Sequence, residues 1–277
     1  MLRSVLVALD GSPFSESAST LACEWATRFG ARLIGLGIVD EPSIERPEPV
    51  PMGAYGFKKR RDKARMTDAH RRVLKFLARF EEQCATAGVT ATFLEDIGNP
   101  TERILHEAHR CDVVILGRET HFHFETQTQS DTTLADVLRN SSRPIVVAPR
   151  ELRDGRGVMV AHSGGREASR TLQTFQLLGL ADGENIDVVT VHHDRVEATA
   201  VASSASEFLT AHGAPHQVHT IATGSPVADV LLEEVQRRAP RLLVMGAHGH
   251  HPWRDIFITS VARAVLQASP VPVFVGS

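Results

Sequence analysis

The chain contains two copies of one set of short motifs, in the same order. The matched pairs are 4–12 (SVLVALDGS) with 157–165 (GVMVAHSGG), 97–100 with 223–226, 112–117 with 241–246, and 142–147 with 270–275. A repeat of this kind indicates duplication of a folding unit. A length of 277 residues also suits two domains of ordinary size. We therefore expect domains at 1–150 and 156–277, joined through the polar segment 150–155.

Within each half, apolar runs of strand length alternate with longer stretches of helical period. The run Val113–Leu116 is apolar at every position, which is typical of a strand buried on both faces. This alternation predicts an α/β fold, with a parallel sheet covered by helices on both sides. The predicted strands are 3–9, 32–39, 89–95, 112–116 and 144–148, then 157–161, 185–191, 216–222, 241–245 and 272–275. The predicted helices are 14–29, 67–87, 100–109 and 132–140, then 165–178, 195–212, 226–238 and 258–268.

The halves differ most after their second strand, where the first half has an insertion at 41–66. It contains four prolines, followed by the basic run Lys58–Arg65. Proline cannot donate a hydrogen bond to a sheet, so we expect a long loop or lid here. The basic run could contact phosphates, but a solvated helix start is favoured.

Composition excludes several classes of function. The 30 basic and 33 acidic side chains give a formal net charge of −3, so no bulk attraction to nucleic acid or to an anionic membrane is expected. Cys23, Cys84 and Cys111 fit neither a disulfide framework nor a CxxC ligand pair, and are interpreted as reduced thiols. No apolar stretch approaches the length of a membrane span, and the first residues lack a signal-peptide pattern. We expect a cytoplasmic protein.

Four motifs of the chain resemble the universal stress protein family. They are the opening VLVALDGS, the Gly-x-Pro before a helix in each half, the VMGAHG turn at 244–249 and the closing PVPVFV. The resemblance covers nearly the whole chain as two tandem copies. It implies two doubly wound domains, each with a five-stranded parallel sheet of order 3-2-1-4-5. It also implies that the copies pack on each other as a pseudo-dimer, and a homodimer of the whole chain is compatible with it.

Many members of that family bind ATP through Gly-x-x-Gly, nine residues, then Gly-Ser or Gly-Thr. An Asp after the first strand contacts adenine, and backbone groups after the second strand add a contact. Glycines let amides approach phosphate, and a helix N-terminus favours anions. In the second half the matching positions are Gly246, Gly249, Thr259, Ser260 and Val261, with Ser163 in place of the Asp and the second-strand contact near Val191 or His192.

The first half keeps different residues of the family's ATP-binding pattern from those that the second half keeps. Asp10 is kept, Gly117 is the first glycine, and the second-strand contact falls near Ile38. Thr120 stands at the second glycine, and the following stretch carries about one extra residue. Loss of the phosphate loop should harm binding more than loss of one base contact. The resemblance therefore implies ATP or AMP binding, with Mg²⁺ as a companion, in the second half rather than the first.

The resemblance implies a stress-associated protein. No catalytic step is evident from the sequence, and slow ATP hydrolysis is the most activity that we expect. The alternative is a scaffold, or a sensor of a small ligand or metal, that has lost nucleotide binding. It would use the same strand-end pocket or the 41–66 segment. The Asp missing from one half and the glycine missing from the other favour this alternative.

Three further features of the second half have more than one interpretation. Histidines follow several strands of the second half, and His162, His192 and His248 are a speculative Zn²⁺ site, although solvated histidines are the favoured interpretation. Ser163–Gly165 resembles the start of the ATP pyrophosphatase loop, but the later Asp and Ser of that loop are absent. Trp253 could cover a bound base or pack against the linker.

Overall fold

The computed structural model describes residues 1–49, 51, 53–123, 131–251 and 254–276, and for residues 248–251 and 254–257 it describes the backbone alone. The first half contains β1 (Ser4–Leu9), α1 (Pro13–Phe29), β2 (Arg32–Val39), α2 (Glu41–Ile44), α3 (Tyr55–Thr86), β3 (Ala91–Ile97), α4 (Pro100–Ala108), β4 (Val113–Gly117), α5 (Thr133–Asn140) and β5 (Ile145–Ala148). The second contains β6 (Val158–Ala161), α6 (Arg166–Leu177), β7 (Ile186–His192), α7 (Arg195–Ala211), β8 (His216–Ala222), α8 (Val227–Arg238), β9 (Leu242–Gly246), β10 (His248–His251), β11 (Arg254–Ile258), α9 (Ser260–Ala268) and β12 (Val273–Gly276).

The predicted fold class is confirmed. The large sheet has the strand order β3-β2-β1-β4-β5-β12-β9-β6-β7-β8, which is order 3-2-1-4-5 in each half. Neighbours within each half run parallel. The halves meet where β5 and β12 pair antiparallel, with Val147 opposite Val273 and Ile145 opposite Val275. The two domains therefore share one continuous sheet.

Both faces of this sheet are apolar, because its central strands are buried on both sides. In β1, Val5, Val7 and Leu9 face one apolar cluster, while Leu6 and Ala8 face the other. The first cluster packs against α1, α3, α6 and α7, and the second against α4, α5, α8 and α9. Burial of this kind is the main term that stabilises the fold. Because both faces of the sheet are covered, polar groups that could bind a ligand are expected at the carboxyl ends of the strands.

A glycine in the left-handed region follows the first strand of each half. Gly11 and Gly164 both have φ of +76°. A Cβ at Gly11 would lie 2.1 Å from the ring of Phe76, and one at Gly164 would lie 2.7 Å from Val201. No other residue fits this turn without strain. The two turns aim Asp10 and Ser163, the residues just before them, at equivalent positions.

The structure corrects the prediction of a loop over 41–66. Residues 41–44 form α2, and α3 begins at Tyr55 and runs for 32 residues. The basic run therefore lies in the first turns of α3, where Asp62 accepts from Lys58 at 2.5 Å and from Arg61. The prolines end at Pro51, so nothing after them prevents a helix. Within 41–66, the only described residues without regular structure are those between α2 and α3.

The segment after β9 also differs from the prediction. The sequence predicts no strand between 246 and 257, but His248–His251 and Arg254–Ile258 pair as an antiparallel hairpin. Trp253, whose role was left open, lies outside the described residues. Among the described residues, no helix is both long enough and apolar enough to cross a bilayer.

Candidate functional site

A cavity of about 630 Å³ lies at the carboxyl ends of β6, β7 and β9 in the second domain. It sits where the strand order reverses, since β6 has β7 on one side and β9 on the other. Ligands of open α/β sheets bind at this switch point. The volume is within the usual range for small-molecule sites. Its lining includes six of the residues predicted for the second half, which are Ser163, Val191, His192, Gly246, Thr259 and Val261.

One wall of this cavity is apolar. Val189 and Val191 come from the same face of β7, because they are two residues apart on a strand. Val227 and Leu231 come from α8 one turn apart, and Met245 comes from β9. The prediction did not single out Val189, Val227, Leu231 or Met245. Their signal in the sequence is only the ordinary period of buried strands and helices.

A second part of the cavity wall comes from the N-termini of two helices, α6 and α9. Gly165 caps α6, and Gly165, Arg166, Glu167 and Ala168 line the cavity. Thr259 caps α9, and its hydroxyl accepts a hydrogen bond from the amide of Ala262 at 3.1 Å. First-turn amides have no carbonyl partner within their own helix, and the helix dipole adds positive potential there. This wall is suited to an anion.

Gly246 is required for packing as well as for access. A Cβ at this position would lie 2.9 Å from the amide nitrogen of Ala168 and 3.0 Å from the carbonyl carbon of Glu167. The glycine thus lets β9 approach the first turn of α6. Gly117 has the same part in the first half, where a Cβ would lie 2.7 Å from Cβ of Phe14.

The other two residues predicted for the nucleotide site, Gly249 and Ser260, are close in the sequence to residues that line the cavity. Gly249 is in β10, with its backbone opposite Phe257 of β11. Ser260 is exposed and begins α9, between Thr259 and Val261, which both line the cavity. The amide of Thr259 donates to the carbonyl of Ala247 at 2.9 Å, so the hairpin is closed at its base.

The predicted histidines take up local contacts. His162 is buried, its Nδ1 accepts from the amide of Gly164 at 3.1 Å, and burial lowers its pKa. Nδ1 of His192 accepts from the amide of Asp194 at 3.0 Å, and its Nε2 lies 3.1 Å from Glu197. The side chain of His248 lies outside the described residues. Within those residues, no three His, Cys, Asp or Glu side chains are grouped to hold a metal ion.

In the first domain the equivalent strand ends are occupied by the chain itself. Asp10 is buried, and its carboxylate accepts from the amide of Ser12 at 2.9 Å and from that of His121 at 2.7 Å. Burial raises the pKa of Asp10, while these hydrogen bonds act to lower it. The acid that the family resemblance assigns to adenine is therefore bound to the segment 120–123, which we term the inner segment.

The inner segment fills the space above β1 and β2. Phe122 is 1% exposed and belongs to the same apolar cluster as Ile38. Nδ1 of His123 lies 2.5 Å from Asp40, the residue after β2, and its Nε2 lies 3.5 Å from Asp131. The hydrogen bond to Asp40 raises the pKa of His123. Sequence reasoning missed Asp40, although it ends β2 as Asp10 ends β1.

Asp10, Ile38 and Gly117 do not share a cavity in the structure. Ile38 is fully buried, and Gly117 packs on Phe14. Asp10 borders another cavity, of about 1010 Å³, which is lined by Thr120, His121 and His123 of the inner segment, by residues of α5, and by Ile258 and Arg263 of the second domain. The strand ends of the two domains are therefore lined differently, because in the first domain the inner segment contacts Asp10 and Asp40 and separates Ile38 and Gly117 from the cavity beside Asp10.

The comparisons with known proteins agree with this architecture. The model of the universal stress protein family matches twice, over residues 1–149 and 156–275. The chain belongs to the universal stress protein family. A relative from Synechocystis, universal stress protein Slr1230, is 23% identical, and the alignment covers 98% of this chain and 99% of the relative.

Two solved structures share the tandem fold over nearly their whole length. A universal stress protein from Archaeoglobus fulgidus has a TM-score of 0.75 at 18% identity, covering 99% of this chain and 98% of its own. A protein from Pseudomonas aeruginosa, PA1789, described as functionally unknown, has a TM-score of 0.60 at 14% identity, covering 99% and 92%. At these identities the likeness extends to the fold alone.

Proposed function

We propose that this universal stress protein binds an adenine nucleotide, ATP or AMP, in the cavity of its second domain and not at the filled strand ends of its first. The observation that carries the proposal is the pairing of an apolar wall with two helix N-termini around one cavity at the switch point. A purine is an apolar disc attached to an anion, so a site for it needs both surfaces in one place.

The base would lie against Val189, Val191 and Leu231, with Ser163 at the position where the family pattern has Asp. The phosphates would lie toward Gly246 and the start of α9, where Thr259 caps the helix. Arg166 lines the same cavity beside the start of α6, where its guanidinium pairs with Glu167 at 3.1 Å. The protein would act by binding in a cytoplasmic stress response, with Mg²⁺ accompanying the triphosphate.

The test is a calorimetric titration of the full chain with ATP and with AMP, with and without Mg²⁺. Val191→Trp places a large ring in the cavity, and the expected result is loss of at least about tenfold in affinity, or about 1.4 kcal/mol. Val218→Trp is the matched control, because Val218 is on the neighbouring strand β8, is 40% exposed and lines no described cavity. It should leave the affinity unchanged.

A substitution at Gly246 would be less informative, because any Cβ there meets the backbone of α6. If the wild-type chain binds neither nucleotide, the proposal is wrong and the scaffold or sensor alternative is supported. Equal loss in both tryptophan variants would also contradict it, since the effect would then not come from the cavity.

A further inference from the structure

Two of the three cysteines of the chain are in direct contact. Sγ of Cys23, in α1, lies 3.7 Å from Sγ of Cys84, in α3. Both side chains are buried, at 5% and 1% exposure, and all three cysteines are free thiols. A disulfide has a sulfur–sulfur distance of about 2.05 Å, so the gap to be closed is about 1.7 Å. The two cysteines are 61 positions apart in the sequence, which is why neither spacing nor motif indicated a pair.

The helices that carry the two thiols are already held side by side. Gln83 in α3 donates to the hydroxyl of Thr20 in α1 at 2.9 Å, and Arg79 pairs with Glu16 at 2.8 Å. Approach of the sulfurs therefore needs only side-chain rotation and a small helix shift. The fold does not have to open for the bond to form.

A small reagent has a route to Cys23. An open recess of about 820 Å³ lies between α1 and α3, and Cys23 forms part of its lining, together with Thr20 and Gln83. Cys84 is not part of the lining, but its sulfur contacts that of Cys23 at 3.7 Å. Burial raises the pKa of Cys23 to about 12 and also raises that of Cys84, so both thiols are protonated at neutral pH. Reaction is slow for such thiols, and a small, strong oxidant is needed.

We propose that Cys23 and Cys84 are an oxidation site, at which a hydroperoxide converts the two thiols into an intramolecular disulfide between α1 and α3. In the first step the sulfur of Cys23 attacks the O–O bond, which breaks. Cys23 becomes a sulfenic acid, and the departing oxygen takes the proton of the Cys23 thiol and leaves as water from hydrogen peroxide, or as an alcohol from an alkyl hydroperoxide.

In the second step the sulfur of Cys84 attacks the sulfur of the sulfenic acid. The S–S bond forms, the S–O bond breaks, and the hydroxyl leaves as a second water with the proton of Cys84. In total the peroxide gains two electrons and the two thiols lose two. The immediate neighbour at 3.7 Å makes this step faster than over-oxidation of the sulfenic acid.

Cys111 is a built-in control. It is 1% exposed, and burial raises the pKa of its thiol to about 11, so its environment resembles that of the pair. The chain has only three cysteines, and the other two are in contact with each other. Cys111 therefore has no thiol with which to form an intramolecular disulfide.

The experiment treats the folded full-length chain with hydrogen peroxide, unfolds it in an alkylating reagent, and counts the remaining thiols by mass spectrometry. The expected result is one alkylated thiol of three, a mass decrease of about 2 Da before alkylation for the two hydrogens removed, and a peptide cross-linked between Cys23 and Cys84. Reduction should restore all three thiols, and Cys84→Ser should abolish the cross-link while leaving Cys111 unmodified.

Three outcomes would overturn the proposal. One is loss of Cys111 at the same rate as Cys23, because oxidation would then follow burial and not the pair. Another is formation of disulfides between chains in place of the internal one. The third is full retention of both thiols at peroxide concentrations that oxidise a control peptide containing one exposed cysteine. None of these outcomes depends on whether the second domain binds a nucleotide.

Discussion

Removal of the Phe122 side chain tests whether the inner segment is a packed part of the first domain. Phe122 is 1% exposed and lies in the apolar cluster formed by α4, α5 and one face of the first sheet. Phe122→Ala removes the buried ring but keeps the amide, which donates to Asp131 at 2.9 Å. A fully buried Phe replaced by Ala costs about 3–5 kcal/mol, through lost transfer energy and the cavity that remains.

The assay is urea denaturation followed by circular dichroism, with thermal unfolding as a second measure. For domains of this size, 1 kcal/mol corresponds to about 2–4 °C, so a fall in Tm of at least about 6 °C is expected. Phe57→Ala is the matched control, since Phe57 is 65% exposed and should change stability by less than about 0.5 kcal/mol. If the two variants were equally stable, the inner segment would not be packed in the first domain. Its packing would then not explain why the first domain binds no nucleotide.

Three further predictions concern single contacts. The hydrogen bond to Asp40 raises the pKa of His123. The stabilisation from this pair is therefore complete below the ordinary histidine pKa of about 6.5 and is lost as the pH rises through the pKa of the folded state. Urea titrations from pH 5 to 9 should show this decline in stability for the wild type and not for His123→Gln. Gly246→Ala should cost about 1–3 kcal/mol through contact with the backbone of α6, whereas Gly224→Ala, with open space around it, should be nearly neutral in thermal unfolding. Thr259→Ala should cost about 1 kcal/mol through loss of the cap on α9 and weaken nucleotide binding in calorimetry, and Thr259→Ser should restore both.

Most of the fold follows from the sequence because the signals are repeated and periodic. Strands such as Val113–Gly117 are continuous apolar runs, and Pro100 begins the helix that it was expected to begin. The failures occur where tertiary contacts override local preference. The helix start favoured for the basic run Lys58–Arg65 is present, but α3 begins earlier, at Tyr55, in what was expected to be a loop, and Asp62 pairs there with Lys58 and Arg61. The hairpin of β10 and β11 is short and lacks a clear alternation of polar and apolar residues.

The candidate site was partly accessible from the sequence. Ser163 could be named because it follows a strand and parallel strands end at one edge of a sheet, and Thr259 because the resemblance to the family's phosphate motif implied it. The apolar wall could not, since Leu231 and Met245 look like any core residue until the cavity is seen. The filled state of the first domain was also hidden. It depends on Phe122 and His123 folding back toward Asp40, which lies 83 positions from His123 in the sequence.

The most direct measurement is the number of nucleotides that one chain binds at saturation. Equilibrium dialysis with labelled ATP on the intact protein should give one nucleotide per chain, because the second domain has the proposed cavity whereas in the first the inner segment is bound to Asp10 and Asp40. A value of two would show that the inner segment does not prevent binding in the first domain. A value of zero would contradict nucleotide binding by this protein.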